Sequence, residues 1–450
     1  MLYAILKVIY KIGLWIFFRR FEVHHRHLMP EAGPLLVVSN HPNTFMDPIV
    51  IASLLRQPVY FIAKSTMFGS AFQNRMLRQM HLIPIHRRED NPGQPVSNDE
   101  AFAASFKALQ QHKTILIFPE GNSYNQRRLR SVKTGTARIA LGAEAAGAKG
   151  LKILPVGLNY SAPTRFRSDV FVNVGEPINV ASYASACRQN GEEPVPALTE
   201  EIRQRLERLI IHTPTDEEDE TARQVEAIYK ERLAAANSSD APAHIQDFLL
   251  TKAIVSSINY FSQREPERVA ALKLKLNSYM LQLRRLRLKD ELMGLRHKTL
   301  LWQSILRLLY LALGLPIYVF GLLHNYLPYI IPSKVARAAT KEEEWYAPVM
   351  LTTGIFTFPL FYLLEVWLVR DLLHLSWPWT AVYSLSLPLS GFFTLHYWST
   401  LQQTQEHWLL LRLFTKRQDL VVQLRQQRLE IMTELEAARE AYLAQTNRDA

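Results

Sequence analysis

The amino-acid sequence predicts an α/β domain with a mixed sheet flanked by helices, followed by an α-helical region that spans a membrane. Residues 20–180 alternate short apolar runs with helix-length segments, the pattern of α/β proteins. Residues 190–298 lose that strand pattern and become helical and charged, and long apolar stretches come after them. A chain of 450 residues also exceeds what one hydrophobic core usually organises, so more than one folded unit is expected.

Six apolar runs in the first domain, residues 21–235, predict strands. They are LLVVS, VYFIAK, LIPIHR, TILIFPE, LKILPVGLNY and VFVNVGEPI. Between them, Asp47 directly before Pro48 predicts a helix start, because aspartate caps helices and proline suits the first helical position. In SNDEAF, Ser97 or Asn98 is placed to cap the next helix.

Residues 1–20 predict a helix that lies in the headgroup region of a membrane. Lys7 and Lys11 interrupt its apolar run and no small-residue cleavage site follows, unlike a signal peptide. Trp15 and the neighbouring phenylalanines stand next to Arg19 and Arg20, a combination that is typical of interfacial helices.

Residues 301–400 predict the membrane region. The stretches 346–369 and 376–399 are each long enough to cross a hydrocarbon core of about 30 Å. A third stretch, 301–332, contains Arg307 and several prolines, so it is interpreted as a third span or as a re-entrant or interfacial segment. Basic flanks favour an even number of crossings, and together with Cys187, the one cysteine, they predict that the first domain faces the cytoplasm.

Two apolar seams predict a pair of helices, one in residues 236–300 and one in residues 401–450. The first seam is Val269, Leu272, Leu276, Tyr279, Leu283 and Leu286, and the second is Leu420, Leu424, Ile431, Leu435, Ala438 and Tyr442. Spacings of three and four residues place each seam along one face of a helix. We therefore expect the two helices to pack as an antiparallel pair.

Polar residues that suit catalysis or phosphate binding follow the strands of the first domain. Taken by themselves, His41 and Asp47 are interpreted as a loop histidine and a helix cap. Further residues of this kind directly follow strands or open a helix: Arg87, Glu120, Gly121, Ser123 and Lys133. A guanidinium just past a strand can hold a phosphate through two hydrogen bonds, and loops after strands are where α/β sheets bind ligands.

Four sequence blocks resemble the glycerophospholipid acyltransferase family, which includes the glycerol-3-phosphate and 1-acyl-glycerol-3-phosphate (lysophosphatidate) acyltransferases. Block by block, the matching residues are Asn40, His41 and Asp47; Ile83, Pro84, Ile85 and Arg87; Phe118, Pro119, Glu120, Gly121 and Ser123; and Pro155 and Val156. The resemblance covers about residues 35–180 and depends on all four blocks, in this order.

Two departures from the family pattern bear on the acceptor. Five residues, PNTFM, separate His41 from Asp47 where the family commonly has four, and this longer spacing is similar to that of some glycerol-3-phosphate acyltransferases. His81 and Asn122 stand where the family often has glycine and threonine. The departures therefore concern the contacts to the acceptor more than the His41 and Asp47 pair.

The resemblance implies a membrane-bound enzyme that transfers a fatty acyl group from acyl-CoA or acyl carrier protein to glycerol-3-phosphate, or alternatively to 1-acyl-glycerol-3-phosphate. A glycerol hydroxyl is a poor nucleophile at neutral pH, and a neutral histidine can take its proton. His41 is implied as this base and Asp47 as the group that fixes its tautomer. The implied phosphate-binding residues are Arg87, Glu120, Gly121, Ser123 and Lys133, supported by Asn40, Pro119 and Pro155.

The expected partners are the acyl donor, the phosphorylated acceptor and membrane lipids, and neither a cofactor nor a metal is expected. The net charge of +11 suits an anionic partner, but NQRRLRSVK, residues 125–133, has no interleaved aromatic platform for nucleic acid. The histidines of FEVHHRHL, interpreted as a strand, lack a cysteine or carboxylate to complete a tetrahedral metal site. A non-enzymatic alternative stays open: a membrane scaffold whose acyltransferase fold has decayed.

Overall fold

The structure, a computed structural model, describes residues 2–86, 98–236, 243–294 and 297–449. These residues fall into two compact units. The first unit comprises the chain up to His212 together with Pro332–Ile355, and the second comprises Thr213–Ile331 and the chain from Phe356 onward. The structural division at His212 therefore precedes the boundary at residue 235 that the sequence suggested.

The first unit is an α/β body in which strands alternate with helices. Its strands are β1 Arg20–His24, β2 Leu35–Ser39, β3 Val59–Lys64, β4 Leu82–Ile85, β5 Thr114–Ile117, β6 Lys152–Tyr160, β7 Asp169–Val174 and β8 Ile178–Asn179. Its helices are α1 Leu2–Phe17, α2 Met46–Leu54, α3 Ala71–Gln79, α4 Asp99–Gln110, α5 Gly135–Ala145, α6 Val180–Asn190 and α7 Pro194–Leu209.

Among the described residues, eight strands form one mixed sheet in the order β1-β7-β6-β2-β5-β3-β4, with β8 paired to β6. β2 is parallel to both of its neighbours, β5 and β6, and β3 is parallel to β5 and β4. β7 and β8 run antiparallel to β6. The prediction of a mixed α/β sheet is therefore confirmed.

Helices cover both faces of the sheet. Along β2, Leu36 and Val38 belong to one buried cluster, which also contains residues of α4, α5 and α7. The alternate residues, Leu35 and Val37, belong to a second cluster with residues of α1, α2 and the 347–351 segment. Because successive side chains of a strand point to opposite faces, β2 is buried on both sides and reads as a continuous apolar run.

All six predicted strands are present, whereas two local predictions were wrong. The segment FEVHHRHL is a strand only as far as His24 and then turns through a short 3-10 helix, Arg26–Leu28. The helix after β2 begins at Met46, so Asp47 lies in its first turn and does not cap it. Ser97 lies outside the described residues, and the side chain of Asn98 bonds the main chain of His86 and makes no cap bond.

α1 buries one side and exposes the other. Leu14 and Phe17 are buried in the core, while Trp15 is 70% exposed in a row of exposed aliphatic side chains. On the buried side, the Nζ atom of Lys7 donates to the carbonyl of Leu55. An exposed apolar face on an otherwise packed helix agrees with the interfacial position that the sequence predicts.

The second unit is helical. Its elements are α8 Asp216–Ala236, α9 Ala243–Arg264, α10 Pro266–Leu286, α13 Trp377–Lys416 and α14 Gln418–Asp449, together with parts of α11 His297–Ala339 and α12 Tyr346–Leu373, which both units share. The predicted antiparallel pair is α10 and α14: Lys275 is paired with Glu434 at 2.7 Å, and Asp290, beyond the end of α10, with Arg428 at 2.9 Å. α8 and α9 pack with them, so the pair belongs to a larger helical bundle.

Two helical stretches in the described part of the chain are long and apolar enough to cross a membrane, Leu301–Ala339 and Glu343–Leu373. The predicted span 346–369 lies inside the second of them. Residues 301–332, whose course the sequence left open, run as one helix within α11. The predicted span 376–399 lies in α13, which is not one of these two stretches. The number of crossings stays a prediction.

Candidate active site

Three parallel strands end at one edge of the sheet and bring the predicted site residues together. His41 follows β2, and Glu120 follows β5, its parallel neighbour. The chain leaves β2 for α2 on one face of the sheet and leaves β5 for α5 on the other face. Such a reversal of direction opens a crevice at the carboxyl ends of the strands, where open α/β sheets bind ligands. β4 also ends at this edge, whereas Arg87, two residues after it in the sequence, lies outside the described residues.

His41 and Asp47 are directly hydrogen-bonded, with 2.8 Å between Nδ1 of His41 and Oδ2 of Asp47. The imidazole lies flat against the ring of Phe118, 3.9 Å between ring centroids and 11° between planes. Its side chain is 16% exposed, whereas the side chain of Asp47 is completely buried. Because Nδ1 is engaged by the carboxylate, Nε2 is the ring nitrogen left to face a substrate.

Three donors hold the buried carboxylate of Asp47. Besides the imidazole, the main-chain N–H of Asn43 donates to Oδ2 at 2.7 Å, and the hydroxyl of Tyr160 donates to Oδ1 at 2.7 Å. Burial and the negative charge of Asp47 raise the pKa of Tyr160 well above its ordinary value, so the phenol stays protonated and remains a donor. The arrangement keeps a charge inside the protein by supplying hydrogen bonds to both of its oxygens.

Tyr160 was not among the residues singled out from the sequence. It is the last residue of β6, and β6 lies parallel to β2 with Val38 opposite Pro155. A tyrosine that ends a strand next to the His41 strand was therefore a usable signal, but only once the pairing of those two strands was known.

Glu120 has a different position from the one that phosphate binding would require. One carboxylate oxygen accepts the main-chain N–H of His41 at 2.8 Å, and the other accepts the main-chain N–H of Arg130 at 2.9 Å. Burial raises the pKa of Glu120, and the two main-chain hydrogen bonds partly oppose that shift. A carboxylate offers no donor to a phosphate, so Glu120 ties the His41 loop to the loop after β5 and positions both.

Asn40 and Pro155 support the site from the sheet. The side chain of Asn40 makes two hydrogen bonds with the main chain of Leu158, accepting its N–H at 2.7 Å and donating to its carbonyl at 2.9 Å. Asn40 thus joins the loop after β2 to β6. Pro155 lies within β6, opposite Val38.

The loop after β5 brings Gly121 and Lys133 into contact. Gly121 has φ +85°, which favours glycine, and a Cβ atom built there would lie 2.7 Å from Nζ of Lys133. The main-chain N–H of Lys133 donates to the carbonyl of Pro119 at 2.9 Å. Ser123 lies half-buried in the same loop. The loop therefore presents a lysine ammonium over a glycine backbone, an arrangement suited to an anion.

The backbone conformation at His81 explains why glycine suits this position in the family pattern. Its φ is +63°, in the left-handed region that glycine adopts without strain. Its ring stacks on Tyr60, 4.5 Å between centroids at 12°, and lies 5.3 Å from the ring of Tyr3. Burial lowers the pKa of His81, assisted by the charge of Lys113.

No group of three or more histidine, cysteine or carboxylate side chains suited to a metal ion occurs among the residues that the structure describes. The rings of His24 and His25 lie 3.5 Å apart, and Nδ1 of His24 lies 3.3 Å from the side-chain oxygen of Asn173. These rings are therefore engaged with each other and with β7.

Comparison with known proteins finds similarity over the same part of the chain. Residues 20–159 match the family model described as Acyltransferase. The chain is 23% identical over 381 residues to an uncharacterised acyltransferase of Schizosaccharomyces pombe, covering 63% of this chain and 54% of that protein. It is 35% identical over 109 residues to glycerol-3-phosphate O-acyltransferase 2 of Saccharomyces cerevisiae, covering 24% of this chain and 15% of that protein.

Bacterial relatives match as well. The chain is 26% identical over 173 residues to a 1-acyl-sn-glycerol-3-phosphate acyltransferase of Borreliella burgdorferi, covering 38% of this chain and 64% of that protein. The crystal structure of the 1-acyl-sn-glycerophosphate acyltransferase PlsC from Thermotoga maritima is 21% identical, with a TM-score of 0.34, and the match covers 45% of this chain and 77% of that one. The chain spans about half of the fission yeast relative and less of the budding yeast one.

Proposed function

We propose, from the match of residues 20–159 to the Acyltransferase family model and from the four sequence blocks, that this chain transfers a fatty acyl group to the hydroxyl of a glycerol phosphate. The preferred acceptor is glycerol-3-phosphate, and the alternative is 1-acyl-glycerol-3-phosphate. The acyl donor is a thioester, acyl-CoA or acyl carrier protein, and the reaction needs no further cofactor. The protein acts at a membrane, with this domain on the cytoplasmic side.

The observation that carries the proposal is the hydrogen bond between His41 and the buried Asp47. Burying a carboxylate completely costs desolvation free energy even when three donors bond it, and an apolar side chain would avoid that cost. The presence of the carboxylate therefore favours a function for its charge. Its hydrogen bond to Nδ1 of the imidazole is the arrangement of a general base with an orienting group. The decayed-scaffold alternative gives no reason for this pairing to persist.

The chemistry follows from the two ring nitrogens. Nε2 of His41 takes the proton of the acceptor hydroxyl while the hydroxyl oxygen attacks the thioester carbonyl, and Asp47 stabilises the imidazolium that forms. The tetrahedral species then expels the thiolate as the C–S bond breaks, and the imidazolium returns the proton to that sulfur. The products are a glycerol ester and a free thiol, and the histidine is restored without a covalent acyl-enzyme.

The acceptor phosphate is held beside this base by the loop after β5. Lys133 above Gly121 supplies a positive charge, and Ser123 supplies a hydroxyl donor. Arg87 is assigned to the same phosphate because β4, the strand before it, ends at the edge where His41 and Glu120 lie. The role of Glu120 is to position the main chain of this loop.

The acceptor assignment rests on the relatives and on the loop length. The budding yeast relatives named glycerol-3-phosphate O-acyltransferase are 35% and 38% identical over their matched segments, compared with 26% for the relative named for the 1-acylated acceptor. The five residues between His41 and Asp47 agree with the former. The 26% match extends over more of the chain, which keeps the 1-acylated acceptor as the second candidate.

The test is acyl transfer by the full chain, purified in detergent or nanodiscs, with labelled acyl-CoA or acyl carrier protein and each of the two acceptors. We expect product, and we expect His41→Ala to lower the rate by about 10²- to 10⁴-fold, the usual worth of a general base. His27→Ala, an exposed histidine outside the site, serves as the matched control. No product with either acceptor, from protein that retains its thermal unfolding transition, would refute the enzyme and favour the scaffold.

A further inference from the structure

The loop that carries His41 and Asp47 holds a strained residue. Thr44 has φ +30°, which a β-branched side chain rarely adopts. It lies between the two proposed catalytic residues, next to Asn43, whose main-chain N–H donates to Asp47. A strained residue at such a place persists only where its surroundings hold it.

What holds Thr44 comes from a segment about three hundred residues further along the chain. Its hydroxyl donates to the main-chain carbonyl of Glu344 at 2.8 Å, and Thr44 is 7% exposed. The neighbouring Phe45 packs edge-to-face against Trp345, 5.0 Å between ring centroids at 80°. Two consecutive loop residues therefore contact two consecutive residues of the short 3-10 turn Glu343–Trp345, which leads into α12.

The same turn also reaches the second loop of the site. The side-chain amide of Asn125 donates to Oε2 of Glu343 at 3.2 Å. The loop of Asn125 is in turn bonded to the His41 loop, because the N–H of Tyr124 donates to the carbonyl of His41 at 3.0 Å. The turn thus contacts both loops that meet at the proposed base.

The turn itself is anchored in the core of the first unit. Ala347 is completely buried and Leu351 is 4% exposed, and both belong to the cluster that contains Met46 and Val50 of α2. A Cβ atom at Gly13 of α1 would lie 3.0 Å from the side chain of Leu351. The start of α12, directly after the turn, and the helix that begins with Met46 are therefore packed into the same core.

We propose that the turn Glu343–Trp345, the entry to a candidate membrane helix and well outside the matched residues 20–159, is a positioning element of the active site. It holds the His41 loop in its strained conformation through Thr44 and Phe45. In this way it keeps the N–H of Asn43 bonded to Asp47 and keeps Asp47 bonded to the imidazole. The inference rests on the proposed acyl transfer for its kinetic consequence, but its structural consequence can be measured without turnover. It also gives part of the C-terminal region a role besides anchorage.

The kinetic test uses two pairs of variants of the full chain in detergent or nanodiscs. Thr44→Val removes the hydroxyl and keeps the shape, and Thr44→Ser keeps the hydroxyl; Trp345→Ala removes the ring contact, and Trp345→Phe keeps an aromatic ring. We expect Thr44→Val and Trp345→Ala to lower kcat by about five- to tenfold, the effect of losing one ordinary hydrogen bond or ring contact. The KM values for donor and acceptor should stay within about twofold, and the Ser and Phe variants should approach the wild-type rate.

Amide hydrogen exchange of peptides covering residues 40–47 provides the second readout. Thr44→Val and Trp345→Ala should increase exchange there and leave other peptides unchanged. The matched control is Thr199→Val in α7, whose hydroxyl donates to the carbonyl of Val195 at 2.7 Å within its own helix. It should change neither kcat nor exchange at residues 40–47.

Wild-type kcat and wild-type exchange in both Thr44→Val and Trp345→Ala would overturn the positioning role while leaving the proposed activity intact. A wild-type protein that acylates neither acceptor would refute the activity, and the exchange measurement would still decide the positioning role. If Thr44→Val does not fold, Trp345→Ala decides by the same two readouts. A general loss of stability would raise exchange throughout the first unit and would likewise count against a local role.

Discussion

Replacing Tyr160 by phenylalanine removes one hydroxyl and nothing else from the buried environment of Asp47. The carboxylate is fully buried, and Oδ1 accepts the Tyr160 hydroxyl at 2.7 Å while Oδ2 accepts the other two donors. A hydrogen bond to a charged group contributes about 1.5–3 kcal/mol, so Tyr160→Phe should lower the free energy of unfolding by about that amount. Because His41 is bonded through Oδ2, we expect kcat to fall by no more than about tenfold.

The assay is urea denaturation of the full chain in detergent, followed in the first unit by amide exchange. Tyr183→Phe is the control, since Tyr183 is half-buried and packs against the core cluster on the other face of the sheet from α2 and Asp47. It should cost less than about 1 kcal/mol. A loss for Tyr160→Phe that equals the control would show that the phenol does not stabilise the Asp47 charge.

The pH dependence of the free energy of unfolding tests the role of Tyr160 independently. Above the ordinary tyrosine pKa of 10.0, Tyr160 ionises in the unfolded chain but stays protonated in the folded protein, where its pKa is raised. The folded state then binds more protons, so stability falls as the pH rises through 10. Tyr160→Phe should lack this contribution, and the stability difference between wild type and variant should therefore shrink above that pH.

Three further predictions concern other parts of the molecule. Glu120→Gln replaces an oxygen that accepts a main-chain N–H by an amide that donates, so one bond is lost and we expect about 1–3 kcal/mol lower stability in urea denaturation with a reduced kcat. Gly157→Ala would place a Cβ atom 2.4 Å from the main-chain oxygen of Leu209, which cannot move aside as the end of a flexible side chain can. Thermal unfolding should therefore show a loss of stability above about 3 kcal/mol, or the variant should fail to fold. Arg428→Met leaves the buried Asp290 without its cation and should destabilise the second unit by about 3–5 kcal/mol, measured by amide exchange in the helical bundle; an unchanged bundle would refute a structural role for this pair.

The central strands of the first unit, β2, β5 and β6, were predictable because they are buried on both faces along almost their whole length. LLVVS is apolar at every position until its last residue, and all five of its residues are buried. The helix pair of the second unit was predictable for a similar reason, since Leu276, Tyr279, Leu283 and Leu424 repeat at helical spacing and are buried. Where a pattern of burial is repeated along the chain, the sequence carries it directly.

The helix start at Asp47 was mispredicted because two local rules agreed with each other and a tertiary contact overrode them. Aspartate before proline suits a cap, yet the carboxylate bonds His41, Asn43 and Tyr160 instead, and the helix begins at Met46, two residues before Pro48. The partners of Glu120 were missed for a related reason: they are main-chain N–H groups, and no sequence pattern indicates such partners. Local propensity could not indicate either arrangement.

Membrane spans were harder to place than strands. Residues 301–332 contain prolines and an arginine that argued against a straight crossing, yet they run as one helix. Proline disfavours a helix because it lacks the main-chain N–H and clashes with the preceding turn. In a long apolar helix, packing and neighbouring polar groups can compensate for the lost hydrogen bond. Composition alone therefore favoured 346–369 and 376–399 as spans over 301–332. In the structure, 301–332 lies in one of the two described stretches that are long and apolar enough to cross a membrane, and 376–399 does not.

The reason that Tyr160 could not be found from the chain is the register between two parallel strands. The side chain of Asn40 makes hydrogen bonds with both the N–H and the carbonyl of Leu158, and this pair of hydrogen bonds fixes how far β6 extends past the end of β2. A shift of β6 by one residue would turn Tyr160 to the opposite face of the sheet, away from Asp47. The hydrogen bonds of Asp47 therefore depend on Asn40 although the two side chains are not bonded to each other. An asparagine next to the histidine thus has a physical reason to be there, because it sets the register that supplies the third donor to the carboxylate.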